Sequence, residues 1–561
     1  MSDKCINKYP NSCKLDKYHQ YDECILHCTK KTLSSLSNPY FKDYNLFFNS
    51  LIEYILENAL FLNKDENFTK ENLIKYFSLT DIEFEELKNY KEPITFEDQK
   101  ASIDKFKKEN TSGNPVDKIM KMNINKKFFG YFQNNIIVFS RIHFPNRDNR
   151  DVPNYEYILK KLGKIHFNYC SFYIPYLDLE NIECFFQDCN FYKYWSLKNF
   201  KVLQKQDDFE VYQACTFYEN VSASSGEKDK FSLDNVQFNG CTFKKELTFE
   251  NINARKPIFK DWNEFSSTIN ELNINNCSFE NKFILKNYTI ENLFLKNTIF
   301  KGKLEFTNNT VTVMDVDNCN FEKLAEFYGS TFKQFKIFKS IFTDYTGFEK
   351  CEFGINNNMQ ESYIANFQYV TFLSFINFRN TKFKSGLMFE DTNLKEYPNF
   401  LNSDIEFENT SKETYRIIKY SFDKLGNHIE ANKYFAREMK KYKNELSKNC
   451  SWSQERFIFW FNETISNYGQ NYFKPTLLLL LSSFLYTLLI LLSGNLEFKN
   501  WLKEHDFVLS IIKFLNSWFS SIIIFNKILP KNLEFITVLF AIFQSTLIWH
   551  ILVAVRRHAK R

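Results

Sequence analysis

The sequence predicts a mainly β protein, built on a coiled β-solenoid with α-helical regions before and after it. Three observations support this prediction: large apolar residues return every five or six positions over 165–395, eight cysteines precede a phenylalanine by two positions, and two long uncharged stretches lie near the C-terminus. Because helix faces repeat near 3.6 residues and strand faces at 2, a five-residue period needs one inward side chain per short side of a coil. Four such sides would make a rung of about 20 residues.

The composition indicates a chain that is folded along its length. It has 561 residues, with 64 phenylalanines but only 13 glycines and 11 prolines, which excludes a linker-rich or disordered chain. Lys and Arg number 72 and Asp and Glu 67, so charge does not suggest a nucleic-acid partner. No apolar signal segment opens the sequence, and we therefore expect the bulk of the chain in the cytosol, with reduced thiols.

Residues 1–35 contain a grouping of metal-ligand residue types. Structural zinc sites use four thiolate or imidazole ligands, and the run CILHC supplies two of them from one tight turn. We predict a structural zinc site whose ligands are Cys5, Cys13, Cys24 and His27. Cys28 and His19 are possible substitutes, and reduced cysteines in a loose terminus are the alternative. Residues 36–164 predict a helical or mixed region, in which 40–62 forms an amphipathic helix.

The eight Cys-x-Phe pairs predict the interior of the solenoid. Residues two apart on a strand face the same way, and a small thiol beside a large ring fills a narrow interior without voids. We interpret these cysteines as packing residues rather than as ligands or redox groups. The pairs are Cys170 and Phe172, Cys184 and Phe186, Cys189 and Phe191, Cys215 and Phe217, Cys241 and Phe243, Cys277 and Phe279, Cys319 and Phe321, and Cys351 and Phe353.

The repeated unit is a small residue, a polar residue, Leu or Phe, and two polar residues, as in NGCTFKK, NNCSFEN, KNTIFKG, DNCNFEK, GSTFKQ, KCEFG and RNTKFKS. This unit resembles that of the pentapeptide-repeat family, and the resemblance implies a right-handed quadrilateral β-helix over 165–395. Residues 201–210, 222–230 and 354–362 interrupt the pattern and predict bulges or loops. Antiparallel strands around an aromatic core are the alternative. The N-terminal cluster is similar to the short zinc-binding knuckle, closed by Cys-x-x-His, that precedes such repeats in some bacterial proteins.

Residues 396–450 predict a helical hairpin that breaks at Gly426. Its apolar stripes and its charged face suit a cap on the open end of a solenoid, where strand edges would otherwise be exposed.

The C-terminal region predicts a membrane module. Residues 475–496 and 535–555 are uncharged and long enough to span a bilayer, and residues 451–474 predict an interfacial helix. Residues 507–529 predict an amphipathic or re-entrant helix. The basic end RRHAKR is expected on the cytoplasmic side. Gln544, Ser545 and His550 in the second span are expected to face protein or a cavity rather than lipid, and Lys513 and Ser517 lie on one polar stripe of the middle helix, which is re-entrant, interfacial or pore-facing.

The membrane module resembles the pore unit of two-span cation channels, but no TVGYG-type filter follows its middle helix, so potassium selectivity is not supported. No Gly-rich phosphate loop, G-x-S-x-G elbow or HExxH motif occurs, and we expect a non-enzymatic protein. The leading interpretation is an interaction or sensing scaffold, multi-pass in a bacterial inner membrane, which binds a protein through its solenoid, forms a homo-oligomer through its membrane helices and binds no nucleic acid.

Two alternatives remain at this stage. The first is an oligomeric channel or pore-forming effector gated by the cytosolic domain. The second is a DNA mimic that inhibits topoisomerases, which the family resemblance implies for some members. The near balance of 29 acidic and 25 basic residues over 165–395 argues against the second.

Overall fold

The computed structural model describes residues 4–6, 13–19, 21–29, 43–62, 68–109, 114–146, 154–179, 182–197, 201–202, 210–224, 231–260, 267–355, 361–449, 454–493, 507–522 and 533–559. The chain divides into two compact units, Met1–Cys351 and Glu352–Arg561.

The first unit contains six described helices. They are α1 (Tyr44–Leu62), α2 (Lys70–Phe77), α3 (Asp81–Asn89), α4 (Phe96–Lys108), α5 (Pro115–Asn134) and α6 (Tyr155–Lys160). Local chemistry starts them: Thr80 and Thr95 form capping boxes at α3 and α4, and α5 begins with Pro115 after the N-cap Asn114. The predicted helix over 40–62 is α1, and residues 40–42 lie outside the described residues.

The first unit also contains 27 described strands, most of them short. They are β1 (Ile136–Ser140), β2 (His143–Phe144), β3 (Lys164–Asn168), β4 (Ser171–Phe172), β5 (Glu183–Gln187), β6 (Asn190–Phe191), β7 (Trp195–Ser196), β8 (Lys201–Val202), β9 (Glu210–Gln213), β10 (Thr216–Phe217), β11 (Val221–Ser224), β12 (Phe231–Leu233), β13 (Val236–Asn239), β14 (Thr242–Glu250), β15 (Ile252–Ala254), β16 (Ser267–Asn275), β17 (Ser278–Phe279), β18 (Phe283–Lys286), β19 (Tyr288–Lys296), β20 (Ile299–Phe300), β21 (Leu304–Thr307), β22 (Thr310–Asp317), β23 (Asn320–Phe321), β24 (Ala325–Glu326), β25 (Thr331–Phe338), β26 (Ile341–Phe342) and β27 (Thr346–Gly347).

These strands form four parallel stacks. One runs β1-β3-β5-β9-β13, with β8 on β5; the second runs from β2 through β4, β6, β10, β14, β16, β19 and β22 to β25, with β7 and β11 joining at β14. The third runs β12-β15-β17-β20-β23-β26 and the fourth β18-β21-β24-β27. The predicted mainly β, solenoid-like fold is therefore confirmed in its general form. The strands begin at Ile136, before the predicted start at 165. The prediction missed this first coil because α6 separates it from the rest of the repeats.

The register between stacked strands sets the length of a coil. Thr289 pairs with Thr310, and Thr310 pairs with Thr331, so partners lie 21 residues apart. Where loops were predicted, paired residues lie farther apart in the sequence. Asn190 pairs with Thr216, and Thr216 pairs with Thr242, so each separation is 26 residues. The inserted residues 203–209 and 225–230 lie outside the described residues.

The interior of the coils is filled at regular steps. After Phe300, a step of six residues and then three steps of five lead to the buried side chains of Phe306, Val311, Val316 and Phe321. The same order follows with Phe327, Phe332, Ile337 and Phe342. Rings in equivalent positions stack: the centroid of Phe321 lies 4.9 Å from that of Phe300 and 4.4 Å from that of Phe342. This is about the spacing of neighbouring strands, so each ring continues the column below it.

The corners of the coils use left-handed backbone conformations. Asn276, Asn297 and Asn318 have φ of 52°, 50° and 53°, and each precedes the small residue of a small-x-Phe unit. Asparagine tolerates this region better than most residues. Its amide also links coils, since Nδ2 of Asn318 donates to Oδ1 of Asn297 at 2.8 Å.

The second unit, Glu352–Arg561, contains eight short strands and six described helices. The strands are β28 (Glu352–Phe353), β29 (Ala365–Gln368), β30 (Thr371–Phe372), β31 (Ile376–Asn377), β32 (Lys382–Phe383), β33 (Leu387–Met388), β34 (Asn393–Leu394) and β35 (Asp404–Ile405). The helices are α7 (Lys412–Lys424), α8 (His428–Asn449), α9 (Gln454–Ser466), α10 (Phe473–Leu492), α11 (Phe507–Ser520) and α12 (Glu534–Ala559). A 3₁₀ turn covers Glu361–Tyr363.

Helices α7 and α8 form a hairpin at the end of the strands of this unit. They turn at Gly426, whose φ is 74°, and Nη1 of Arg437 donates to the carbonyl of Ile405 in β35 at 3.1 Å. The buried Glu438 carboxylate joins the two helices, because it accepts from Arg416 Nε at 2.9 Å and from Lys419 Nζ at 2.7 Å.

Two helices of this unit, α10 and α12, are long and apolar enough to cross a membrane. They pack on each other, and the hydroxyl of Tyr486 donates to Oγ1 of Thr537 at 3.2 Å. The indole of Trp518 in α11 donates to Oγ of Ser483 at 3.0 Å. The predicted span over 475–496 corresponds to α10, and that over 535–555 to α12. Residues 494–496 of the first predicted span and residues 523–529 of the predicted middle helix lie outside the described residues.

Candidate metal centre

Three short N-terminal segments are held together by backbone hydrogen bonds. The amide of Cys5 donates to the carbonyl of Leu15 at 3.0 Å, and the amide of Ile6 donates to the carbonyl of Asp22 at 3.1 Å. The first segment is therefore fixed to both of the others, which places cysteines from all three beside one another.

The third segment forms a tight turn at CILHC. The amides of His27 and Cys28 donate to the carbonyl of Cys24 at 3.0 and 2.9 Å. A spacing of three residues in such a turn puts the side chains of Cys24 and His27 on one side. The sequence therefore supplies two potential ligands from one local structure.

The four residues predicted as ligands converge. The ligand atoms of Cys5, Cys13, Cys24 and His27 all lie within 4.8 Å of one another. The sulfurs of Cys13 and Cys24 are 3.8 Å apart, and Nδ1 of His27 lies 3.5 Å from the sulfur of Cys5 and 3.2 Å from that of Cys24.

These separations match the edges of a coordination tetrahedron. A four-coordinate metal with bonds of about 2.3 Å to sulfur and about 2.05 Å to nitrogen has edges of about 3.8 Å between sulfurs and about 3.6 Å between sulfur and nitrogen. The Cys13 to Cys24 edge and the Cys5 to His27 edge agree with these values, and the Cys24 to His27 edge is shorter by about 0.4 Å. The group could bind a metal ion with little movement.

Three of the four residues are buried, and the closeness of the thiols affects their pKa values. Cys24 and His27 are 1% and 2% exposed, and Cys5 is 8% exposed. The hydrogen bond with Cys24 lowers the pKa of Cys13, but contact with Cys5 and burial outweigh it and raise that pKa to about 11. Hydrogen bonds with Cys13 and Cys5, followed by burial, raise the pKa of Cys24 well above its ordinary value. A bound cation would reverse this effect, because a coordinating thiol loses its proton.

The histidine is oriented for ligation through Nδ1. Its other ring nitrogen, Nε2, is buried and has no hydrogen-bond partner among the described residues. The ring packs edge-on against Tyr54, with centroids 6.4 Å apart. Because Nδ1 faces the thiols, the neutral tautomer with its proton on Nε2 leaves the Nδ1 lone pair available to a metal.

The two possible substitutes are placed differently. The thiol of Cys28 points to the carbonyl of Ile25, at 3.7 Å. The side chain of His19 is 67% exposed and lies 3.7 Å from Asp43. The described geometry therefore separates these two residues from the group of four.

The cysteine turn also contacts the first strands of the solenoid. The amide of His143 in β2 donates to the carbonyl of Leu26 at 2.9 Å. In later coils the equivalent bonds join Ser171 to Ile142 at 2.9 Å and Asn190 to Cys170 at 2.8 Å. Leu26 thus takes the place of a preceding coil, and the metal-ligand turn covers the N-terminal edge of the second stack.

The eight cysteines predicted to fill the interior are all buried. The sequence did not predict a second role: the thiols of six of them donate to carbonyls of the preceding coil, as that of Cys170 does to Phe139 at 3.2 Å. Ser330 stands where Cys351 stands one coil later, and both make this bond, at 3.0 and 2.9 Å. The sequence did contain a signal for this role: Cys, Ser and Thr alternate two positions before the phenylalanine, and all three carry a side-chain hydrogen-bond donor.

Of the polar residues predicted within the membrane module, Gln544 and His550 are buried among helices, whereas Lys513 and Ser517 are partly exposed. Gln544 and His550 are 2% and 4% exposed, and Nδ1 of His550 lies 3.1 Å from Oγ of the buried Ser466. The backbone carbonyl of Ser517 accepts from the hydroxyl of Ser521 at 2.8 Å. Lys513 lies on the same helix, α11.

Comparisons with known proteins add no family to this description. No family model, no curated protein and no solved structure matches the chain. What the protein does is therefore inferred from its own geometry.

Proposed function

We propose that this chain is a membrane-anchored scaffold of the pentapeptide-repeat type, non-enzymatic, with a zinc-bound N-terminal cap. In this proposal the solenoid is cytosolic and recognises a protein partner. Helices α10 and α12 anchor the chain as a multi-pass protein in a bacterial inner membrane, where it forms a homo-oligomer. The single observation that carries the anchor is a continuous apolar face left exposed on both helices.

The register supports a four-sided coil. Four parallel stacks and a 21-residue register fit three sides of five residues and one of six. Small-x-Phe units with a left-handed corner before the small residue agree with the pentapeptide repeat. A right-handed path is the expected hand, since crossovers between parallel strands are almost always right-handed.

Zinc is the metal that the donor set favours. Three thiolates and one imidazole in a closed tetrahedron are typical of structural zinc sites, and thiolates also disfavour hard cations such as magnesium and calcium. In this position the ion would join the three separate N-terminal segments 4–6, 13–19 and 21–29.

The apolar faces of α10 and α12 support the membrane assignment. Leu477, Leu481 and Leu485 follow one another every four residues on α10 and are 49%, 52% and 55% exposed. On α12, Ile542 and Trp549 are 59% and 58% exposed. Soluble proteins rarely leave such contiguous apolar surface in water.

The polar residues favour an anchor over a channel. A conducting lumen needs polar side chains that face an open space, whereas Gln544 and His550 are buried against neighbouring helices. The contact of His550 with Ser466 in α9 fits helix packing, in which polar groups join helices inside a bilayer.

A row of stacked tyrosines supports a protein partner for the solenoid. Tyr173, Tyr192 and Tyr218 follow the inner phenylalanine, with centroids 4.9 and 4.7 Å apart; Tyr173 is buried, Tyr192 is partly exposed and Tyr218 is 39% exposed. Rigid aromatic surface of this kind is enriched at protein interfaces.

The test is alkaline extraction and vesicle flotation of the full chain. The unchanged chain should stay with the membrane, whereas Leu481→Arg combined with Leu485→Arg should release it, because each arginine at mid-span costs about 3 to 4 kcal/mol relative to leucine. Leu46→Arg is the matched control, since Leu46 on α1 is 50% exposed and lies outside the module. An unchanged chain that is soluble and monodisperse without detergent would refute the anchor. If the unchanged chain conducts ions across bilayers and Gln544→Leu alters that conductance, the result would favour a channel over an anchor.

A further inference from the structure

A small cavity lies where the basic end of α12 meets the hairpin helix α8. Its volume is about 210 Å³, and its lining includes the cationic or titratable side chains of Lys433, Arg557 and His558. One carboxylate, that of Glu430, also lines it. The cavity thus combines a defined volume with a concentration of hydrogen-bond donors.

The walls of the cavity are joined by hydrogen bonds. Nδ2 of Asn432 donates to the carbonyl of Arg557 at 3.0 Å, and Nε2 of Gln470 donates to the carbonyl of Asn432 at 2.6 Å. Nε2 of His558 donates to the carbonyl of Gln470 at 2.9 Å. Three parts of the second unit are therefore held together around the space: α8, the turn before α10, and α12.

Arg557 is held in place on one side of the cavity. Its guanidinium lies over the ring of Phe435, 4.4 Å from the centroid, and Nη1 donates to the carbonyl of Tyr468. It also packs against Gly469, whose φ is 79°. A guanidinium has five N–H donors, so this fixed group keeps donors for an anion beyond the one given to Tyr468.

The charge balance of the cavity favours an anion. Lys433 lies 3.3 Å from Glu430 on the same helix face, and such an exposed pair contributes little energy. With Arg557 permanently charged, the lining carries one net positive charge when His558 is neutral and two when it is protonated.

The cavity sits at the membrane-proximal end of both apolar helices. The rings of Tyr472, just before α10, and His558, at the end of α12, have centroids 6.0 Å apart, so the start of one helix adjoins the end of the other. Beside them Phe473 is 68% exposed and Ile429 is 66% exposed. Apolar side chains next to a basic cavity at the end of a span match the level of lipid headgroups.

We propose that this cavity binds the phosphate of an anionic glycerophospholipid headgroup, with Arg557 and Lys433 as the donors and Ile429 and Phe473 beside the acyl chains. This inference rests on the proposed membrane anchor and names the lipid class that the anchor selects. Bound lipid would tie α12 to the hairpin that ends the strands of this unit.

The test measures lipid binding to the full chain in detergent, by native mass spectrometry and by titration with short-chain lipids. Dioctanoyl phosphatidylglycerol should bind at least tenfold more tightly than dioctanoyl phosphatidylcholine. Lys433→Gln should weaken phosphatidylglycerol binding about tenfold, because it removes one charge-assisted hydrogen bond. Lys440→Gln, on the same helix two turns away, is the matched control and should leave the affinity unchanged. Neither lysine is buried, so both variants should fold.

Three results would overturn the proposal: equal affinity for the two lipids, equal effects of Lys433→Gln and Lys440→Gln, or saturable binding of inorganic phosphate that phosphatidylglycerol does not displace. The last would assign the cavity to free phosphate. Because short-chain lipids are titrated in detergent, this assay reports on the cavity even if flotation shows that the chain does not anchor. Failure of the anchor and failure of the lipid site are therefore distinguishable.

Discussion

Two single variants, Cys24→Ser and Cys277→Ser, should distinguish the cysteines that could bind a metal from those that fill the solenoid interior. Cys24 and Cys277 are 1% and 0% exposed, so burial alone predicts similar effects. Their partners differ. Cys24 belongs to the group of four possible ligands, whereas the thiol of Cys277 lies 3.3 Å from the carbonyl of Phe249 and 3.1 Å from that of Asn275.

The expected magnitudes follow from these partners. Structural zinc contributes about 10 to 16 kcal/mol through four ligands, so loss of one ligand should remove about 2.5 to 4 kcal/mol, or about two to three powers of ten in metal affinity. A serine at position 277 can donate to the carbonyl of Asn275, as Ser340, the equivalent residue three coils later, donates to the carbonyl of Phe338 at 2.9 Å, and it should change the free energy of unfolding by about 1 kcal/mol or less.

The assay is zinc content by mass spectrometry after dialysis against a chelator that fixes the free zinc concentration. At a free zinc concentration about ten times the dissociation constant of the unchanged chain, the unchanged chain and Cys277→Ser should each retain about 0.9 zinc, and Cys24→Ser about 0.1 or less. Zinc-free unchanged protein, or equal zinc loss in both variants, would refute the division into ligands and packing residues.

Three further predictions test the solenoid by thermal or denaturant unfolding of the full chain and by thiol labelling. Gly302→Ala should destabilise by about 1 to 3 kcal/mol because a Cβ there would overlap a backbone carbonyl of the preceding coil, whereas Gly130→Ala, with no atom within 4 Å, should be neutral or slightly stabilising. Phe321→Ala should cost about 3 to 5 kcal/mol, because its ring stacks between two others, whereas the outward Phe294→Ala should stay within about 0.5 kcal/mol. Burial raises the pKa of Cys184, so a brief iodoacetamide pulse at pH 8 should label it only after unfolding, as read by peptide mass spectrometry; labelling in the folded chain would contradict its place in the interior.

Periodicity predicted the solenoid because each inward side chain is selected by the same narrow interior. The five-residue steps at Val311, Val316 and Phe321 are visible in the sequence as large apolar residues. The first coil was missed because β1 and β3 are separated by α6, and a single coil without neighbours in sequence has no period. A coil of 21 rather than about 20 residues arises from the six-residue step to Phe306, which sequence reasoning noted without fixing its place.

The sequence predicted the residue types of the candidate metal site, but it left open which of the nearby cysteines and histidines belong to the group of four. Cysteine and histidine near CILHC indicate metal ligation, yet only the fold directs the thiol of Cys28 to a carbonyl and leaves His19 at the surface. The cavity at Lys433 and Arg557 gave no sequence signal, since its two donors are more than 100 residues apart and charged residues are common at both places. Spatial convergence of distant residues requires the tertiary structure.

A stack of parallel strands exposes unpaired backbone at each end, and the two units cover such ends by different means. At the start of the first unit the cover is a few short segments around Leu26, and in the proposal above a bound metal ion adds to their stability. At β35 in the second unit the cover is a pair of helices with their own apolar contacts and the buried carboxylate of Glu438 between two cations. Chelation should therefore act selectively: the amide of His143, which donates to Leu26, should lose hydrogen-exchange protection, while the amide of Phe378, which donates to Asn399 at 2.8 Å in the second unit, should keep it. Equal loss at both amides would mean that the metal supports the whole fold rather than one edge of it.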